Sequence, residues 1–477
     1  MGTLKSKVVS GLAWSGMAKL VAQLFSWVST FVVIRYLNPN DYALLGLAFA
    51  FIGFFYVLSE FGLADALIQK KETSQNSYSQ VFTATLSLNT IIFVLIYGSS
   101  TLIAEFYHNP ALNQVLIFVA ANLLLSSFIT IPETLMNKEM LFKKRALIET
   151  FSSALNTFVT LGLALYGFGY WSILIGQVAN TLCRVILFNA LGYNQYRITT
   201  DFYGFSSLFH FGAYTFLSRV VWALYNKLDV FIIGRVFGAQ LLGIYTVALQ
   251  LAAMPLDKIS GTINQVAFST FSQHQEDTNS QQHFFLTIRL LAVTVFPLFI
   301  GIATISPVLI PILIGDKWLE SIVIIQLLSL IMPFKLISSF INTFIASKGE
   351  AKFNLKMSLL YLLFIAIGLL IGSFGSITNT VTALVIAYTL CFILVSYLSL
   401  VKVNYSYIKF INSFWQPLIC SLLMCVGLLL LNYFLRLNVN SILYLVMMIV
   451  VGALIYLGCL FVFAKEHIES IKSLIKR

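Results

Sequence analysis

The residues of this chain best placed to do chemistry are ionisable groups inside apolar stretches. The bases are Lys19, Arg184, Arg219, Lys227, Lys258 and Lys335, and the acids are Glu60, Asp65, Asp229 and Asp257. A charge near the middle of a bilayer costs about 3 kcal/mol, so each of these groups is expected to face a bundle interior or a water-filled cavity. Six bases against four acids suit an anionic ligand. Polar neighbours recur beside them at helical spacing. Ser15, Lys19, Gln23, Ser26 and Thr30 form one stripe, and Gln177, Asn180/Thr181 and Arg184 a second. Arg219, Asn226/Lys227 and nearby Asp229 form a third, Gln250, Asp257, Lys258 and Asn264 a fourth, and Lys335, Ser338/Ser339 and Asn342 a fifth. Steps of three, four and seven place each stripe on one helix face. The alternative for each is pairing between helices, or snorkelling of a long side chain to the membrane interface.

Only a membrane can hold the elements that position these residues. Hydrophobic residues are 59% of the 477 and charged residues 10%, against about 25% charged in soluble domains. Fourteen spans are predicted, near 11–34, 43–66, 81–104, 112–131, 147–167, 170–190, 209–234, 239–264, 286–306, 320–341, 356–374, 378–400, 412–435 and 441–464. The expected fold is therefore an all-α integral membrane protein. The first stretch is too long for a signal h-region and is read as a retained span. The five cysteines lie inside apolar stretches with no CxxC or Cys/His cluster, which predicts neither disulfides nor a metal site.

The chain also carries an internal echo at an offset of 200 residues. FVVIRYLNPNDYALLGLA from Phe31 to Ala48 aligns with FIIGRVFGAQLLGIYTVA from Phe231 to Ala248. Phe31/Phe231, Arg35/Arg235 and Ala48/Ala248 are identical. That offset covers six predicted spans, an even number, so both halves enter the membrane in the same direction. The expected organisation is a six-helix bundle over 1–200, a second over 201–405, and two extra helices with a cytoplasmic tail over 406–477. Two such bundles rocking against each other around a central site is a transporter's arrangement.

A net charge of +11 invites a polyanion partner, but the placement of the bases argues for topology instead. With the amino terminus in the cytoplasm, 19 of the 29 Lys and Arg fall in cytoplasmic segments, four in outside loops and six within spans. That bias is the positive-inside rule, and it puts both termini in the cytoplasm. No nucleic-acid partner is expected. Walker A, HExxH, GxSxG and dinucleotide fingerprints are absent, so no catalytic residue is assigned and no cofactor is expected. No outside loop exceeds about ten residues, too few for the external catalytic domain that membrane glycosyltransferases and polymerases carry.

Several motifs carry a family resemblance along most of the chain. They begin with Gly11, Trp14 and the run Arg35-Tyr36-Leu37-Asn38-Pro39-Asn40-Asp41-Tyr42, followed by Glu60-Phe61-Gly62 and Asp65 to Gln69. At the midpoint come Asn226, Asp229, Gly234, Arg235, Gly238, Gly243, Tyr245 and Ala248, and later Pro297, Gly301, Gly315-Asp316-Lys317-Trp318 and Ala346 to Ala351. In these the chain resembles the polysaccharide-transporter branch of the multidrug/oligosaccharidyl-lipid/polysaccharide superfamily, the Wzx-type flippases. Ala43 departs from the glycine usual after the Asp-Tyr pair. The resemblance implies a flippase for polyprenyl-pyrophosphate-linked oligosaccharides in the bacterial cytoplasmic membrane, serving O-antigen, capsule or exopolysaccharide synthesis by alternating access. On that reading Lys19, Arg219 and Lys227 hold the headgroup, supported by Arg184 and Lys335, with Gln23 and Asn226 as polar partners. Asp229 or Asp257 takes up a proton or sodium ion. Membrane lipids, a glycan polymerase and a chain-length regulator are the implied partners. A drug or metabolite antiporter of the same superfamily is the alternative and calls for an acid-rich cavity. A peptidoglycan-precursor flippase shares the cationic logic.

Overall fold

The computed structural model describes residues 26–60, 67, 75–139, 141–193, 196–202, 213–273, 280–435 and 442–463. Regular structure among them is helical, and twelve stretches are long and apolar enough to cross a membrane. The predicted first span lies mostly outside the described residues. The predicted seventh and eighth fall in one apolar stretch, Phe216–Gly261, that breaks into two helices at Gly238.

By its contacts the chain divides into two units. The first comprises Met1–Phe216 with Gly238–Gly243, and the second Leu217–Phe237 with Ile244–Arg477. In the first, α1 (residues 26–36) leads into α2 (Pro39–Glu60), then α3 (Gln75–Phe106), α4 (Ala111–Lys138), α5 (Phe142–Leu165) and α6 (Tyr170–Ala190). The start of α2 follows from its sequence. Pro39 sits at the first helical position, where a missing N–H costs nothing. The Asp41 carboxylate accepts the Asn38 backbone N–H at 2.9 Å, closing the turn. Beyond α6 the chain folds back along α3 with its backbone groups satisfied by side chains. Arg197 N–H donates to Ser79 at 3.1 Å, Thr199 N–H to Thr83 at 3.0 Å, and Gln80 to the Asp201 carbonyl at 2.9 Å. Tyr196 lies 4.3 Å from Phe82, ring to ring, on a core of Leu67, Val81, Ile131 and Leu135.

The second unit holds α7 (Ala213–Tyr225) from Leu217 onward, α8 (Leu228–Gln273) apart from Gly238–Gly243, α9 (Ser280–Leu313), α10 (Ser321–Ser347), α11 (Ala351–Gly372), α12 (Ile377–Lys402), the short α13 (Tyr407–Asn412), α14 (Trp415–Leu435) and α15 (Ile442–Phe463). Its helices α9, α10 and α12 pack together, and α14 and α15 lie on α9. Thr304 hydrogen-bonds to Cys425 at 3.1 Å, and the Tyr456 hydroxyl donates to the Val293 carbonyl at 2.8 Å. The Gly315-Asp316-Lys317-Trp318 motif makes a tight turn after α9 that places Trp318 fully inside. Outward faces of these helices are apolar, as with Leu370, Leu390, Leu429 and Leu454. That pattern suits hydrocarbon as the solvent.

Two glycines explain the long α8. At Gly238 the backbone turns to φ 78°, ψ −178°, a region essentially closed to other residues, and the helix breaks there. This break stands 200 residues after Asn38, where the chain also leaves one helix for the next. Gly243 is needed for space. A Cβ on it would lie 1.7 Å from the Pro39 carbonyl oxygen, and backbone cannot step aside as a flexible side chain does. Gly243→Val is expected to cut the yield of folded, membrane-inserted protein severalfold, read as a monodisperse peak after detergent extraction. Wild-type yield would contradict this packing.

Candidate functional site

Helix α4 continues to Lys138, two turns beyond the predicted end near 131, and its polar face keeps its spacing over that length. Asn122, Ser126, Thr130, Glu133, Thr134 and Asn137 lie on that face at steps of three and four. They form one wall of a cavity of about 530 Å³ within the first unit. Thr85 and Asn89 from α3, Gln177, Thr181 and Arg184 from α6, and Phe49, Gly53 and Tyr56 from α2 also line it. The predicted stripe on the sixth span is thus a cavity wall.

Glu133 organises the charges. Its Oε1 lies 2.6 Å from Arg145 Nη2 and its Oε2 2.9 Å from Arg184 Nη2. Arg145 also reaches Glu149 at 2.7 Å and donates to Asn137 at 2.6 Å. Two guanidiniums and two carboxylates leave this cluster with no net charge. Arg184 is therefore not an unpaired cation, and its guanidinium also lies 5.8 Å from the Phe188 ring centre. Higher on the wall, Asn89 is 1% exposed and donates to Ser127 at 2.8 Å and to the Leu123 carbonyl at 3.3 Å. Among the described residues, three buried atoms of the lining have no hydrogen-bond partner: Asn89 Oδ1, Asn122 Oδ1 and Arg184 Nε. An unmet buried polar atom costs about 1–3 kcal/mol.

The second unit gathers a different set. Lys335, at the centre of α10, places Nζ 5.5 Å from the ring centre of Tyr388. Tyr361 lies 5.2 Å from Tyr388 and stacks on Tyr225 at 5.5 Å, and its hydroxyl meets Ser338 at 2.8 Å. Asn226 follows Tyr225 and donates to the Trp222 carbonyl at 2.9 Å. Lys227 is half-buried and Arg219 exposed. Asp229 is buried, and its carboxylate accepts the Tyr245 hydroxyl and the Val230 N–H. Lys19 and Gln23 lie outside the described residues, as does the side chain of Asp257. Glu133, Asn89 and Asn122 are absent from the predicted set. The α4 stripe carries Asn122 inside the predicted span and runs on to Glu133 beyond its predicted end at 131. Asn89 has no such stripe of charged neighbours to mark it.

Comparison with known proteins decides the family. The polysaccharide biosynthesis protein family matches residues 32–323, more than half of the chain. This chain belongs to that family. Among curated relatives, the lipopolysaccharide biosynthesis protein WzxC of Escherichia coli K12 is 26% identical over 439 residues, covering 88% of this chain and 86% of WzxC. The teichuronic acid biosynthesis protein TuaB of Bacillus subtilis 168 is 25% identical, covering 74% and 73%. Among solved structures, the lipid II flippase MurJ in an inward closed conformation superposes with a TM-score of 0.74 at 16% identity, covering 95% of this chain and 99% of MurJ. A multidrug resistance transporter of the MATE family gives 0.62 at 12% identity, covering 80% and 94%. The multi-pass helical fold is thus shared with both kinds of transporter. A polysaccharide biosynthesis protein whose polar groups line a cavity inside a membrane bundle has the means to pass a hydrophilic cargo through lipid.

Proposed function

We propose that this protein is the flippase that moves polyprenyl-pyrophosphate-linked oligosaccharide repeat units across the bacterial cytoplasmic membrane during surface polysaccharide synthesis. The observation that carries this reading is membership of the polysaccharide biosynthesis family, joined to a polar cavity walled by membrane helices. A glycan headgroup cannot cross hydrocarbon unaided, because each unsatisfied polar group there costs several kcal/mol. Hydroxyls and amides along the helices replace water for the sugar. Lys19, Arg219, Lys227 and Lys335 hold the pyrophosphate, since cationic donors match phosphate oxygens. Gln23 and Asn226 add uncharged contacts, and Arg184 acts together with Glu133.

Both termini lie in the cytoplasm, so the loading face is the side on which the repeat unit is assembled. The two six-helix halves alternate access, and the two C-terminal helices are an addition to the second. Asp229 or Asp257 takes up a proton or sodium ion to reset the carrier. The membrane potential assists as well, since each negative charge moved outward gains about 2.3 kcal/mol per 100 mV. A glycan polymerase and a chain-length regulator take the product on the outer face.

The test is the lipid-linked oligosaccharide pool of a deletion strain, separated by leaflet, with surface polymer assayed alongside. Units trapped on the cytoplasmic face with surface polymer lost are expected. Normal pools and polymer, with new drug sensitivity, would move the assignment to an antiporter.

A further inference from the structure

We propose that the cavity of the first unit is a saccharide subsite, taking an uncharged sugar ring of the repeat unit while the pyrophosphate is held by other residues. This rests on the flippase reading and says which part of the cargo goes where. Four features of the cavity carry it.

Charge is the first. Among the described residues of the lining, the charged ones are Glu133 and Arg184, and they are bonded to each other at 2.9 Å. An anion entering here would have to compete with Glu133 for Arg184 and would meet the carboxylate's own field. An uncharged ring does neither.

Hydrogen-bond polarity is the second. Two lining amides, Asn89 and Asn122, each keep a side-chain carbonyl oxygen without a partner. These are acceptors, and they call for donors. A phosphate diester or carboxylate has no donor to offer at neutral pH, and an apolar drug has neither donor nor acceptor. A sugar hydroxyl donates and accepts with the same atom. It therefore also suits Arg184 Nε, a donor without a partner.

Size and lining are the third and fourth. About 530 Å³ lies within the range of roughly 300–1,000 Å³ typical of small-molecule sites. Threonine and serine hydroxyls alternate with the amides along α4 and α6, so one ring meets several side chains at once. Phe49 and Tyr56 offer apolar surface for the C–H face of a ring.

The test uses the purified full-length chain in lipid nanodiscs. The probe is the free repeat oligosaccharide, released by mild acid from the host's lipid-linked pool, followed by saturation-transfer NMR. Wild type is expected to show transfer to ring protons, unaffected by millimolar inorganic pyrophosphate. Asn122→Leu combined with Thr181→Val should weaken binding at least about fivefold, the effect of losing one or two uncharged hydrogen bonds. Thermal midpoints are compared to confirm folding. If that pair fails to fold, Ser126→Ala with Thr130→Val replaces it, with a loss in the same direction expected. The proposal is overturned by transfer that is absent in wild type, unchanged in the folded variant, or abolished by pyrophosphate. Each of these, combined with trapped units in the deletion strain, removes the subsite and leaves the flippase. Normal pools in the deletion strain remove both.

Discussion

Glu133→Gln is expected to lower both stability and export, and adding Arg184→Gln is expected to restore stability alone. The carboxylate of Glu133 joins Arg145 on α5 to Arg184 on α6 through contacts of 2.6 and 2.9 Å. Without its charge, Arg145 keeps Glu149, while Arg184 is left with a neutral amide. Breaking one side of a fully buried pair costs about 3–5 kcal/mol. Here the side chains are 26–31% exposed, so solvent screening brings the expected loss nearer 1–2 kcal/mol. That appears as a fall of a few degrees in the thermal midpoint of the detergent-purified protein. The double variant has two neutral partners of matching size, and its midpoint should return toward wild type. Export, read as surface polymer, should stay at least about tenfold down in both variants, a loss of about 1.4 kcal/mol or more. A double variant that exports normally would make the pair a structural tie with no part in handling cargo.

Lys335→Met should also separate function from stability. Lys335 stands at the middle of a 27-residue apolar helix. A charge at that depth costs about 3 kcal/mol, and the Tyr388 ring beneath it returns about 0.5–2 kcal/mol. Methionine fills the same space with no charge to desolvate. The variant should lose export by at least about tenfold, more than any change in its thermal midpoint accounts for, on the proposed role of this cation in holding the cargo's phosphates. Lys335→Arg should keep most of the activity. Thermal midpoint and surface polymer, measured on the same preparations, check both halves of the statement. A destabilised Lys335→Met protein would show that the lysine is a structural partner of the tyrosine cluster.

Much of the architecture is legible in the linear chain. A bilayer demands about 20 apolar residues per helical crossing, so runs such as 356–374, 378–400 and 441–464 predict α11, α12 and α15 closely. Pro39 and Asp41 announce the start of α2 by local chemistry that needs no partner helix. Where the polar face of a helix outlasts its apolar core, composition misleads. The span predicted to end near 131 stopped short of Glu133, although helical spacing carries the stripe on to Asn137. At the junction near 238 the apolar lengths mark two spans, and the backbone does break into two helices there, at a single glycine.

By itself the sequence determined the class of this protein. Apolar runs, intramembrane charges, bases biased to one side and family motifs are all one-dimensional properties, and together they specify a polytopic membrane transporter of polysaccharide synthesis. Only the tertiary structure decided which charges are spoken for. Arg184 lies 51 residues from Glu133, and Arg145 lies 12 from it on a third helix. Pairing between residues so placed depends on how α4, α5 and α6 pack, which helix periodicity does not encode. The same packing leaves the amide oxygens of Asn89 and Asn122 without partners. Within the first unit it makes a cavity whose charges, among the described residues, cancel, and whose unmet groups call for hydroxyls.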